Sequence, residues 1–330
     1  RLVGGVQRWA AGWADCARVR SRVRSGVVRP AAVARGTRRG RQAGGRRAWR
    51  GGAAVRCYIC AALALRIGAG LGETLASDPV EPWHGRFIIA HITLNLLGWI
   101  GLTVMGTLVT LWPTMLRTRI AENAERVSRQ ALPILVGSVV VTAAAALAGS
   151  QALAGIGATA YLGGVLWAIR PLAHVARVKA PSGYATWSVM AAVAWLIGSL
   201  IGLVVVLVTS PTWSMVTDRL GLLIIPAAGG FAAQVLLGAL SYLVPVVLGG
   251  GPTIVRGTQA RLDRGKVIRA VLINLGLVVW ILPVPDLVHV LVSTLVLGTF
   301  AAFLPLLVIT VLYAGRTRRS ARQLATDTTG

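Results

Sequence analysis

Ala185–Thr209 reads ATWSVMAAVAWLIGSLIGLVVVLVT, with no Asp, Glu, Lys, Arg or His. At 1.5 Å per residue, as a helix it extends about 37 Å, enough to cross a hydrocarbon core of ~30 Å. In lipid a backbone must satisfy its own hydrogen bonds, so a stretch of this kind spans as a helix. Six further apolar stretches resemble it: Phe87–Trp112, Ala131–Gly149, Gln151–Ile169, Leu220–Leu248, Val267–Leu282 and Leu287–Tyr313. The expected fold is therefore all-α, a polytopic membrane bundle of seven transmembrane helices. Val55–Gly72, short and interrupted by Arg66, is the candidate for a partial eighth.

Charge follows the same plan. Arg117, Arg119, Arg126 and Arg129 follow the first stretch, and Arg170, Arg177 and Lys179 follow the third. Arg256, Arg261, Arg264, Lys266 and Arg269 follow the fifth, and Arg316, Arg318, Arg319 and Arg322 follow the seventh. Alternate connections thus carry sixteen basic residues, whereas the opposite connections carry only Arg86 and Arg219. Basic short loops stay in the cytoplasm. This predicts a multi-pass protein of the bacterial cell membrane with a cytoplasmic C-terminus, and with the segment before Phe87 outside.

A hydrophobic fraction of 55%, a charged fraction of 13% and a mean hydropathy of +0.70 suit a lipid-embedded bundle. The net charge of +24 is concentrated at one end, since residues 1–56 hold 15 Arg and a single acid, Asp15. That tail carries no nucleic-acid motif and no helical period, so nucleic acid is not an expected partner. The chain starts with Arg1 and uses 32 Arg against 2 Lys, a bias that fits GC-rich codons. The tail, 1–56, is expected to be disordered or a mistranslated upstream stretch. Residues 57–322 form the membrane domain, and 323–330 a short C-terminal tail. Cys57 and Cys60 form a lone C-x-x-C without a redox setting and read as lipid-facing or packed thiols.

Polar groups at membrane depth are costly and carry the functional signal. No Asp, Glu or Lys lies in the middle of a clear span, which argues against a proton pump or a retinal Schiff base. His91 and His289 each fall about one turn inside the outer end of a span, and His84 lies on the outer approach to the first. Two imidazoles at matching depth can serve as axial ligands of haem b or hold copper. The candidate metal ligands are thus His91, His289 and His84, with Asn95 as a supporting cofactor contact. Below His91 a stripe of Asn95, Trp99, Thr103 and Thr110 runs at near-helical spacing and is expected to face the bundle. The plainer alternative is two separate structural histidines, with Asn95, Gln234 and Asn274 as interhelical glue.

The stretch AHITLNLLGWIGLTVMGTLVTLWPTMLRTR (Ala90–Arg119) resembles the membrane portion of high-GC bacterial proteins fused to multicopper oxidase or copper nitrite reductase domains. QVLLGALSYLVPVVLGGGP (Gln234–Pro252) resembles a second block of the same region. His91 with Gly98–Trp99 is also similar to helices of the haem–copper oxidase subunit I and NnrS-like superfamily. The resemblance implies a membrane redox module binding haem b or copper near the outer face and serving an extracytoplasmic copper oxidase or reductase domain. A His-Pro-Glu-Val segment, a paired His-His loop and a cupredoxin pattern are absent from the sequence, so no catalytic copper site is expected in this chain. A small-solute permease lined by Asn95, Gln234 and Asn274, and a cofactor-free anchor or assembly factor, are the competing readings.

Overall fold

The structure, a computed structural model, describes residues 83–119, 123–249 and 251–327. The N-terminal tail, Val55–Gly72 with its two cysteines and the side chain of His84 lie outside the described residues. The described residues all belong to one compact unit.

Every described element is helical. The first span begins as α1 (Trp83–Ile92), passes through a π-helical segment (Thr93–Gly101) and ends as α2 (Leu102–Met115). α3 (Ala124–Leu147), α4 (Gln151–Val178) and α5 (Tyr184–Thr209) follow. The next span is again composite: α6 (Trp213–Ile225), a second π segment (Pro226–Ala233) and α7 (Gln234–Leu248). α8 (Pro252–Leu262), α9 (Lys266–Ile281), α10 (Asp286–Ala301) and α11 (Phe303–Asp327) complete the chain.

Among the described residues six helices are long and apolar enough to cross a membrane: Gly85–Met115, Ala124–Leu147, Gln151–Val178, Tyr184–Thr209, Trp213–Leu248 and Asp286–Arg319. The expected count was seven. Val267–Leu282 forms α9, whose 16 residues extend about 24 Å, short of the ~30 Å core. Pro283 and Pro285 follow it and prevent further helix. α9 packs along α10, and α11 returns to α8, where the Arg261 guanidinium lies 3.8 Å over the Tyr313 ring. The α9–α11 excursion therefore starts and finishes at the same end of the bundle. Pro305 accounts for the break between α10 and α11, because it lacks the N–H that would bond the Ala301 carbonyl.

The arginine-rich segments gather at that end. Arg117 donates to Gln259 Oε1 at 3.1 Å, joining the first loop to α8. The Tyr184 amide donates to Asp263 Oδ1 at 2.7 Å, and Lys266 Nζ to the Ser182 carbonyl at 2.5 Å. The opposite end is closed by Trp213, whose indole donates to the Gly149 carbonyl at 3.2 Å, and by Arg86, whose guanidinium covers Gly149.

The main core is built from the first five spans, with Leu102, Leu135, Val139, Tyr161, Leu196, Leu200 and Phe231 nearly inaccessible. α3 and α4 approach closely at Gly157, where a Cβ would lie 2.9 Å from the Thr142 amide nitrogen. A smaller cluster of Tyr184, Leu237, Leu262 and Phe303 joins α5, α7, α8 and α11. Outward-facing Val208, Val247, Leu287 and Leu297 are largely exposed, as a lipid-facing surface requires.

Candidate functional site

The two π segments share one cavity. A partly open space of about 290 Å³ lies between the first span (His91, Asn95, Ile100), α5 (Leu196, Ser199, Leu203) and the α6–π span (Leu223, Ala227, Phe231). Its position eight residues into α1, and six or more before the end of α5, puts it in the half of the bundle away from the arginine-rich end. The walls are almost wholly aliphatic.

Each π segment has a local physical cause. In the first, the Leu102 amide bonds the Leu97 carbonyl, an i to i+5 link, and Tyr161 Oη donates to the same carbonyl at 2.8 Å. Gly101 makes room for that phenol, since a Cβ there would stand 2.5 Å from Tyr161 Oη. The second begins at Pro226, which cannot donate into the preceding turn. There Gly230 lies flat against Trp195, where a Cβ would meet the ring at 2.5 Å. π turns inside α-helices are uncommon and concentrate at functional sites. Both in this molecule wall the same space.

Polar groups at the cavity are few. His91 is exposed on its wall, and Asn95 Nδ2 donates to the His91 carbonyl at 3.0 Å. Ser199 Oγ is buried, and among the described residues no group hydrogen-bonds to it. A buried hydroxyl left in this state costs about 1–3 kcal/mol.

The expected polar stripe takes a different form. Thr103 donates to the Trp99 carbonyl at 2.7 Å, Thr107 to the Thr103 carbonyl at 2.9 Å and Thr110 to the Thr107 carbonyl at 3.1 Å. These hydroxyls satisfy themselves on their own helix, the usual refuge of Ser and Thr in an apolar helix. Trp99 is exposed rather than turned wholly into the bundle.

His289 has other surroundings. Its ring lies 4.9 Å from that of Trp280, and its Nε2 is 3.4 Å from the Leu282 carbonyl, both contacts within the α9–α10 hairpin. His91 and Asn95 are thus brought to one cavity, while His289 is absent from its lining. Among the described residues no group of three or more His, Cys, Asp and Glu comes together. Paired axial histidines need both imidazoles to converge on one iron, and copper needs at least a second strong donor. Among the described residues the imidazole lining the cavity is that of His91, so the described lining does not by itself supply either ligand set.

Gln234 and Asn274 meet each other. Gln234 Nε2 donates to Asn274 Oδ1 at 3.1 Å and Asn274 Nδ2 to Gln234 Oε1 at 3.3 Å, with the Trp195 indole adding a bond to Asn274 Oδ1 at 2.8 Å. This cluster ties α5, α7 and α9 together. The sequence reading did not single out Ser199, Tyr161 or the π segments. Pro226 was a visible cue to the second segment, whereas the first follows from a partner 64 residues away in the chain.

Comparison of the chain with protein-family models, with curated proteins and with solved structures found no match.

Proposed function

We propose that this multi-pass membrane protein works through the cavity behind His91. There it holds a lipid-soluble molecule with an apolar body and one carbonyl or hydroxyl end. The observation that carries this reading is the convergence of two π segments and an unsatisfied Ser199 hydroxyl on one aliphatic cavity. The walls supply no charge, so an ion or polar solute gains nothing there, whereas an apolar body fills a space near the lower end of the small-molecule range. The Ser199 hydroxyl offers a hydrogen bond to a single polar end. In this reading the protein sits in the bacterial cell membrane with its arginine-rich end in the cytoplasm, where short basic loops remain.

The resemblance of Ala90–Arg119 and Gln234–Pro252 to copper-oxidase-associated membrane regions supports a second reading, a redox module for an extracytoplasmic copper oxidase or reductase. One observation favours it: His91 lines an apolar cavity in the half of the bundle away from the arginine-rich end.

One preparation tests both. The purified chain is extracted with organic solvent for mass spectrometry and examined by reduced-minus-oxidised absorption with metal analysis, alongside Ala227→Leu, His91→Ala and His289→Ala. A co-purifying lipid-soluble molecule in the parent, absent from the folded Ala227→Leu variant that fills the cavity, is the expected result. Its retention in that variant refutes the cavity as its site. A haem b or copper signal lost in His91→Ala replaces the first reading by the second, and loss in His289→Ala as well identifies both histidines as ligands.

A further inference from the structure

At the arginine-rich end lies a second space, of about 300 Å³ and mixed polarity. Arg117, Lys179, Gly183, Thr186, Gln259 and Asp263 are among its lining residues. Three features converge on it. The Arg117 guanidinium and the Lys179 ammonium are both exposed at its rim. Gly183, the N-cap of the 26-residue α5, brings the positive end of that helix to the wall. Asp263 is the carboxylate in the lining, and it is engaged as a cap, accepting the Tyr184 amide at 2.7 Å. Lys266, next to the lining, donates to the Ser182 carbonyl.

Arg117 sits there at a conformational cost. α2 ends in a Schellman turn, in which the Thr118 amide bonds the Pro113 carbonyl at 2.9 Å and the Arg117 amide the Thr114 carbonyl at 3.1 Å. That turn requires a left-handed residue, and Arg117 adopts φ 52°. Glycine ordinarily fills the position, because a side chain in this region is strained. Among the described residues Arg117 is the only non-glycine with positive φ. The helix would close better with glycine, so closing the helix does not explain the side chain. Its guanidinium crosses to α8 and stands over the pocket, with Gln259 Oε1 as its observed partner.

We propose that this pocket binds a phosphate-bearing anion, with Arg117 and Lys179 as its cationic contacts. A guanidinium fork, an ammonium and a helix N-terminus are the groups that recognise phosphate oxygens. The pocket lies where the basic loops meet, at the level of lipid headgroups, so a phospholipid headgroup and a free phosphate share the chemistry and are distinguished by experiment.

The test uses the full chain in neutral detergent and reads its thermal midpoint on titration with phosphatidylglycerol, with phosphatidylcholine or with inorganic phosphate. The parent, Arg117→Gly and Lys179→Gln are compared. Arg117→Gly suits the turn, so its unliganded midpoint is expected to equal or exceed that of the parent. Its anion-dependent shift is expected to need about fivefold more ligand, as is that of Lys179→Gln. A shift with phosphatidylglycerol alone identifies a headgroup site, and an equal shift with inorganic phosphate a free-phosphate site; either supports the proposal. No anion-dependent shift in the parent, or one that persists unchanged in both variants, overturns it. A fall in the unliganded midpoint of Arg117→Gly with an unaltered anion response assigns Arg117 a structural role and also overturns it.

Discussion

Helices α2 and α3 finish in the same hydrogen-bonded turn and fill its left-handed position differently. At the end of α3 the residue is Gly149, φ 80°, with the Arg86 guanidinium packed over it. At the end of α2 it is Arg117, φ 52°, with its side chain over a pocket. The first arrangement satisfies the backbone and lets a neighbour close over it. The second accepts local strain and places a cation at the rim. The same contrast separates the two cavities. The space behind His91 is bounded by close-packed walls and two distorted helices, so changes there act on the fold. The pocket at Arg117 is rimmed by exposed loop and helix-end groups, so changes there act on charge.

The strongest challenge to this contrast is Gly230→Ala, which drives a methyl group into the Trp195 ring against the second π segment. It is expected to cost about 1–3 kcal/mol, as overpacking does, read as a lower unfolding midpoint. Tryptophan fluorescence should also change if the Trp195–Asn274 bond is disturbed. Gly149→Ala comes next, at about 1–2 kcal/mol, since it places a Cβ at positive φ and displaces Arg86. An unchanged midpoint in Gly149→Ala would remove the distinction between the two turns.

Tyr161→Phe removes the phenol bond to the Leu97 carbonyl and is expected to cost about 1 kcal/mol. Amide hydrogen exchange across Thr93–Gly101 reads this change, with faster exchange expected near Leu102. The smallest effect belongs to the arginine-rich end, where Lys179→Gln should alter stability by less than about 0.5 kcal/mol because its side chain is exposed. A large loss there would show that the rim contributes to the fold, contrary to the comparison.

Much of this architecture is legible in the chain itself. Uninterrupted apolar runs such as Ala185–Thr209 must be helices in lipid because no other spanning element satisfies the backbone, and the structure gives Tyr184–Thr209. Ser150 after Gly149 marks the tight turn, since glycine accepts positive φ and serine caps the next helix, its Oγ accepting from Leu153. The alternation of arginine among the loops likewise foreshadows the end where Arg117, Lys179, Asp263 and Tyr313 meet.

Site geometry was not written locally. Periodicity gave Asn95, Thr103 and Thr110 a common face but could not show that threonine hydroxyls bond their own carbonyls. Depth estimates matched His91 with His289, yet depth along a helix says nothing of which helices are neighbours. Packing put Trp280 beside one histidine and the α5–α6 wall beside the other. The π turn at Leu97 depends on a phenol delivered from α4, and the orphan Ser199 hydroxyl on what the cavity leaves empty of partners. Composition and hydrogen-bond necessity determined the helices and the charged end. Only the tertiary structure decided which polar groups meet, because that depends on contacts between residues far apart in the chain.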